Sequence, residues 1–166
     1  MSRELDAARA LVKMLEEKEQ EGRVRLSELK PGDVVKTSFG DLIVLGQLEH
    51  GTKVISKGFV KKNVRFDNNS PDINKSEIKN LLSGEVLEMF EKEFGAENIV
   101  EETTALTTVD MQKDYGTYTG KIRLLIFDEA REFNPLLVNK DLDDWWWTCT
   151  PWSTKERGWD YSVSVF

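Results

Sequence analysis

Few residues in this sequence have the chemistry of a nucleophile and its base. The sequence holds one cysteine, Cys149, and one histidine, His50. Nucleophilic catalysis needs a Ser, Cys or Thr within hydrogen-bond reach of a base, which is usually an imidazole. Cys149 stands beside Trp147 and Pro151 in a predicted strand, where an inert buried thiol is the usual outcome, and His50 lies in a predicted hairpin turn. We therefore predict that the protein is not an enzyme.

Carboxylates do not form an obvious acid–base or metal site either. Two catalytic carboxylates must face one cleft from different elements, whereas Glu101–Glu102, Asp128–Glu129 and Asp143–Asp144 are adjacent pairs, which usually cap helices or lie in solvent. The aspartates within 67–72 and 141–144 do not follow the spacing of an EF-hand loop. The common glycine-rich nucleotide motifs are absent, and one cysteine excludes a multi-cysteine zinc site. We expect no cofactor and no metal.

The five tryptophans all fall within fifteen residues near the end of the sequence. On a strand, Trp145 and Trp147 share one face and Trp146 takes the other, so either both faces are covered by protein or one ring is offered to a ligand. We favour a core strand with two covered faces over a ligand platform.

A second group of C-terminal residues is a better candidate for contact with a partner. Trp152, Lys155, Arg157 and Trp159 lie on and beside a proline-containing loop. Loops lie at the surface, and Trp and Arg are enriched at the energetic centres of interfaces. We predict these four as partner-binding residues.

Charge points to a further candidate surface. The 23 Lys and Arg against 30 Asp and Glu give a net charge of −7, which favours a basic protein surface over DNA, RNA or anionic lipid as a partner. Residues 85–102 hold seven glutamates and one lysine. On a helix, Glu85, Glu88 and Glu91 lie opposite the apolar stripe, so they stand in water or face a partner. These three are also predicted partner-binding residues.

Apolar periodicity predicts a helix over residues 2–21. Leu5, Ala8, Val12 and Leu15 recur at the spacing of one helix face, with Ser2 as a cap and Gly22 as a stop. We therefore divide the chain into an N-terminal helical extension, 1–22, and a single α+β domain, 23–166.

Alternating β-branched residues and glycines predict a β-meander over 33–60. A helix is predicted to follow, capped by Asn74, bent at Gly84 and ended by Gly95. This order gives a mixed domain with an antiparallel sheet and packed helices.

The last third of the sequence predicts a strand, a helix and two more strands. Lys121–Phe127 is a buried-strand candidate, and Asp128 is expected to cap the helix DEAREFN after it. Strands are then predicted at Trp145–Cys149 and over residues 159–165.

The segments DEAREFN, WWWTCTPWS and GWDYSVSV resemble a group of small phage- and prophage-encoded proteins of unknown function, which carry a tryptophan-rich strand that ends in a TPWS-type turn. The likeness covers roughly residues 30–166. That group is similar to proteins on the C-type-lectin-like scaffold, which includes formylglycine-generating enzymes. The resemblance implies an α+β fold with twisted antiparallel strands. Those enzymes use a pair of cysteines, and because Cys149 stands alone their activity is not expected.

Together these features predict a non-catalytic binding protein of phage or mobile-element origin that acts in the bacterial cytoplasm. The single cysteine fits a reducing compartment, and no stretch reaches the ~18 apolar residues of a membrane span. The most concrete expectation is an acidic inhibitor, like an anti-CRISPR protein, of a host CRISPR or other nucleic-acid-handling enzyme with a basic surface. The alternative is a lectin-like or virion-associated module that binds glycans through its C-terminal tryptophans.

Overall fold

The computed structural model describes residues 3–21, 25–139, 142–157 and 163–165, with backbone alone at 16–21, 155, 164 and 165. It confirms the mixed α+β class. The helices are α1 (Arg3–Glu21), α2 (Glu77–Leu81), α3 (Leu87–Phe94), α4 (Phe127–Glu132) and α5 (Asn134–Leu137). The strands are β1 (Val34–Thr37), β2 (Gly40–Leu48), β3 (Gly51–Ser56), β4 (Glu102–Ala105), β5 (Thr117–Gly120), β6 (Trp147–Pro151) and β7 (Val163–Val165).

The predicted N-terminal helix is present as α1, whose bounds match the apolar period. Its proposed cap, Ser2, and its proposed stop, Gly22, lie outside the described residues. Every side chain described between residues 3 and 15 is exposed. The described part of the helix therefore leaves its apolar side chains largely in solvent.

The predicted meander is confirmed as an antiparallel sheet in the order β1-β2-β3. Ile43 pairs with Val34 on one side and with Ile55 on the other, and a bulge interrupts the second ladder between Val44 and Gly46. Leu45 of β2 packs with residues of the C-terminal half in a small core cluster. The second and third sheets are the hairpin-like pairs β4-β5 and β6-β7.

The start of the central helix differs from the prediction at Asn74. Asp72 caps a short 3₁₀ turn over 73–75 by accepting from the Asn74 N–H at 2.9 Å. Ser76 then caps α2, since its Oγ accepts from the Lys79 N–H at 3.2 Å. The side chain of Asn74 instead donates to the Thr117 carbonyl at 2.8 Å. A preceding 3₁₀ turn thus moves the cap two residues along the chain.

Gly84 and Gly95 have the roles that the sequence predicts. A π-helical segment, Leu82–Val86, surrounds Gly84 and separates α2 from α3. Gly95 ends α3 with a φ of +86°, a backbone conformation that other residues rarely adopt.

The predicted strand Lys121–Phe127 is wrong. This segment has no ladder over 121–126, although Leu125 is buried and its carbonyl accepts from the Cys149 N–H of β6 at 2.9 Å. The apolar run therefore crosses the core as an extended segment beside β6. Buried extended chain and a paired strand share the same hydrophobic pattern.

The predicted cap of α4, Asp128, is also wrong. The helix begins at Phe127, and the residue at its cap is Ile126, whose N–H is bound by the Glu129 carboxylate at 3.1 Å. Asp128 lies in the first turn and forms an exposed ion pair with Arg131. The Glu129 side chain, and not that of Asp128, therefore accepts the hydrogen bond from the backbone at the start of this helix.

The tryptophan strand begins two residues later than predicted, and this separates the three rings. Trp145 precedes β6 and is 74% exposed. Trp146 packs on the cluster around Leu125, whereas Trp147 packs on a larger core cluster. Its indole N–H donates to the Val64 carbonyl at 3.0 Å. Of the predicted terminal strand, 163–165 is present as β7, and 159–162 lies outside the described residues.

Candidate functional site

The acidic face, defined by Glu85, Glu88 and Glu91, lies on the outer side of the α2–α3 helix. Glu85 and Glu88 are exposed, and Glu91 is half-buried. The Lys61 ammonium lies 2.5 Å from the Glu85 carboxylate, so part of this face is neutralised within the chain. The Glu88 carboxylate has no hydrogen-bond or ion-pair partner within the part of the chain that the structure describes.

The inner side of the same helix holds the acidic face in place. Val86 is buried, and the Phe90 ring lies 4.8 Å from the Phe39 ring of the β1–β2 turn. The Ser38 hydroxyl donates to the Glu93 carboxylate at 2.8 Å across the same contact. The carboxylates are therefore presented by a helix that is anchored to the first sheet.

Trp152 forms a second exposed surface with α4. Its ring is 37% exposed and its centroid lies 6.0 Å from that of Phe127, a pair that we call the aromatic shelf. The Arg131 guanidinium lies 5.0 Å from the Phe127 centroid. Aromatic rings beside a cation are a common arrangement in recognition surfaces.

Asp110 fixes the turn that carries Trp152. It accepts hydrogen bonds from Ser153 at 2.5 Å and Thr108 at 2.6 Å, and these hydrogen bonds lower the pKa of its carboxyl. Arg157 is exposed and its guanidinium lies 3.5 Å from the same carboxylate. The side chain of Lys155 and all of Trp159, the other predicted binding residues here, lie outside the described residues.

A buried ion cluster, Lys53, Arg123 and Glu129, was missed by sequence reasoning. Arg123 binds both Glu129 oxygens, at 2.5 and 2.9 Å, and the Lys53 ammonium lies 2.5 Å from one of them. Burial raises the pKa of the Glu129 carboxyl, but the hydrogen bonds from Arg123 and Lys53 outweigh burial and lower that pKa to about 2. The expectation that adjacent acids cap helices or lie in solvent holds for the start of α4, where Glu129 accepts from the Ile126 N–H, but it does not include the burial of Glu129 with two cations.

The one sequence signal for this cluster is a charge inside an apolar run. Arg123 stands between Ile122 and Leu124, where a cation needs a buried partner. The identity of that partner depends on tertiary packing, since Lys53 and Glu129 are 76 residues apart in sequence.

Cys149 has the environment of a structural thiol. The residue is fully buried, and burial raises the pKa of its thiol to about 12. A protonated and inaccessible thiol is a poor nucleophile at neutral pH.

A large cleft opens between β3, the inner side of the α2–α3 helix and the segment Trp145–Trp147. Its volume is about 1180 Å³ and most of its lining is apolar. Lys53, Arg123 and Glu129 contribute to one wall, but their charges are already bound to one another. No sequence pattern predicts this cleft, because it depends on how separate elements pack.

Among the described residues, no three His, Cys, Asp or Glu side chains are grouped so that they could hold a metal ion. No helix in that part of the chain is long and apolar enough to cross a membrane. No protein-family model matches the sequence, and no curated protein or solved structure matches it either.

Proposed function

We propose that this protein is a non-catalytic binding protein whose acidic face docks on a basic surface of another protein. The observation that carries the proposal is the exposed Glu88 carboxylate, which is unpartnered among the described residues on an anchored helix. A carboxylate on an anchored helix attracts a cationic partner without a cost for ordering the backbone that carries it.

The partner that best fits this chemistry is a bacterial enzyme with a basic nucleic-acid groove. Residues 85–102 carry a net charge of −6, and the part of this segment that lies on the helix, up to Phe94, holds four glutamates and one lysine. The helix therefore carries a net charge of −3 in this part, and this charge competes with phosphates for a basic groove. The resemblance to phage proteins supplies the expected origin and the C-type-lectin-like scaffold, and the single cysteine supports an action inside the bacterial cell. In this proposal the protein inhibits a bacterial defence enzyme by occupying its basic groove.

The test is a pull-down of the tagged protein from nuclease-treated bacterial lysate, with three baits compared. Glu88→Lys reverses the central charge of the acidic face, and Glu132→Lys makes the same change on the exposed side of α4. We expect wild type and Glu132→Lys to retain a nucleic-acid-binding enzyme that its own nucleic acid displaces, and Glu88→Lys to lose it. Equal recovery with all three baits would contradict this surface as the contact.

The aromatic shelf favours a second candidate function, glycan binding in a lectin-like or virion-associated module. Trp152 is exposed and stands against Phe127, and sugar rings stack on such faces. This candidate predicts a sugar-dependent change in tryptophan fluorescence that survives Trp145→Ala and disappears in Trp152→Ala. A glycan array that shows no binding would exclude it.

A further inference from the structure

The helix α1 carries a broad apolar face that is mostly exposed within the part of the chain that the structure describes. Leu11, Val12, Met14 and Leu15 are each 54–57% exposed. Viewed down the helix axis, with 100° between consecutive residues, these four side chains span an arc of roughly 160°. A two-stranded coiled coil buries a narrower seam of a and d positions, so a face this wide is better matched by a groove.

The cleft offers a groove of suitable size and chemistry. Its volume of about 1180 Å³ exceeds the ~300–1,000 Å³ of most small-molecule sites. Leu48, which is 42% exposed at the end of β2, and Phe90 of α3 lie in its lining. An amphipathic helix in an apolar groove is a recurring mode of recognition.

The helix and the groove are close together in the sequence, since α1 ends at Glu21, and Arg25 and Leu26 line the cleft. The described side chains of α1 are exposed, and none of them lines the cleft of its own chain. Within the described residues, each copy therefore presents an exposed apolar helix face and a cleft that this face does not fill.

Charge favours this contact. The helix α1 holds six acidic and four basic side chains, a net charge of −2, whereas the lining of the cleft holds four acidic and six basic side chains, a net charge of +2. The helix and the cleft are therefore of complementary charge.

We propose that α1 of one copy docks in the cleft of a second copy, and the reverse, to form a two-fold symmetric dimer. The apolar faces of both helices and both clefts are then covered at once. This interaction goes beyond the proposed function, because the acidic face lies on the opposite side of the α2–α3 helix and stays open.

The test is sedimentation equilibrium of the full chain over a range of concentrations, with two variants and two controls. Leu15→Lys places a charge on the apolar face of α1, and Ala10→Lys places the same charge on its polar side. Leu48→Lys charges the cleft, and Val34→Lys charges a similarly exposed strand residue outside the cleft lining. The unfolding midpoint of each variant confirms that it is folded.

We expect a dimer whose dissociation constant rises at least tenfold in Leu15→Lys and in Leu48→Lys and less than twofold in the controls. A monomer at all concentrations would overturn the proposal, including one whose α1 is covered by its own cleft. Loss of the dimer in Leu15→Lys but not in Leu48→Lys would also overturn it, because α1 would then pair with something other than the cleft. These outcomes are independent of the pull-down, which tests Glu88 alone.

Discussion

Side chains of the strand β6 are buried in the core, whereas apolar side chains of the helix α1 are exposed to solvent. Cys149 and Thr148 of β6 are fully buried, and the Trp147 indole is both packed and hydrogen-bonded. In α1, Leu11 and Leu15 keep more than half of their surface in solvent. Most helical stability in proteins comes from packing of an amphipathic face, and the described side chains of α1 do not pack in this way within the single chain. The contrast distinguishes a region whose stability comes from its own core from a region that a second molecule would stabilise.

The largest effect on the self-contained region is expected from Glu129→Ala. Removal of this carboxylate takes away the close, doubly hydrogen-bonded partner of the buried Arg123 and leaves only the more distant Glu102 carboxylate at 3.9 Å, which destabilises the fold by about 3 kcal/mol. Glu132→Ala on the exposed side of the same helix should change stability by less than ~0.5 kcal/mol. Urea unfolding of both variants measures the difference. Equal and small losses would mean that the ion cluster does not hold β3 to α4.

A low pH should remove the stabilisation that the Glu129 carboxylate provides, without any mutation. Because the pKa of Glu129 is lowered from 4.5 to about 2 in the folded chain, the unfolded chain binds the proton more tightly. Its contribution, on the order of 3 kcal/mol, is present above pH 4.5 and is lost as the pH falls toward 2. Unfolding of wild type and Glu129→Gln across this range checks the sign. A wild-type stability that falls no more steeply than that of the variant would contradict it.

Neighbouring tryptophans give a matched pair for the same comparison. Trp147→Ala removes core packing and the hydrogen bond to the Val64 carbonyl, for a loss of about 3 kcal/mol. Trp145→Ala removes a ring that is mostly in solvent and should cost less than ~0.5 kcal/mol. Chemical denaturation of the two variants measures both free energies of unfolding and so tests whether Trp147 lies in the core while Trp145 does not. Similar losses would place both rings in the core.

The smallest effect is expected in thiol labelling of Cys149, which reports how readily the region around β6 opens. With its pKa raised to about 12 and its side chain buried, Cys149 should not react with a disulfide reagent in the native protein at pH 8. In urea it should react completely. Rapid labelling of the native protein would show that this region opens far more easily than its packing implies.

Local signals in the sequence predict α1, the meander, the bend at Gly84 and the helix end at Gly95, because periodicity and glycine act over a few residues. The segment 121–127 shows the limit of such signals, since a buried apolar run looks the same whether or not it pairs as a strand. At the start of α2, a 3₁₀ turn over residues 73–75 moves the cap from the predicted Asn74 to Ser76.

The candidate site likewise contains some features that local patterns predict and others that depend on contacts between distant segments. Exposure of Glu88 follows from helix periodicity, and exposure of Trp152 follows from its place on a turn. Helix periodicity does not indicate the pairing of Glu85 with Lys61, because the two residues are 24 positions apart in the sequence. The ion cluster and the cleft depend on contacts between distant segments, which no local pattern contains.

Hydrogen–deuterium exchange of the full chain at low and high concentration tests most directly whether the open apolar surfaces bind a second copy. Between the two samples, which differ about a hundredfold in concentration, amide exchange in α1 and around the cleft should slow markedly, while exchange in β6 stays unchanged. Fast exchange of α1 at both concentrations would contradict the account.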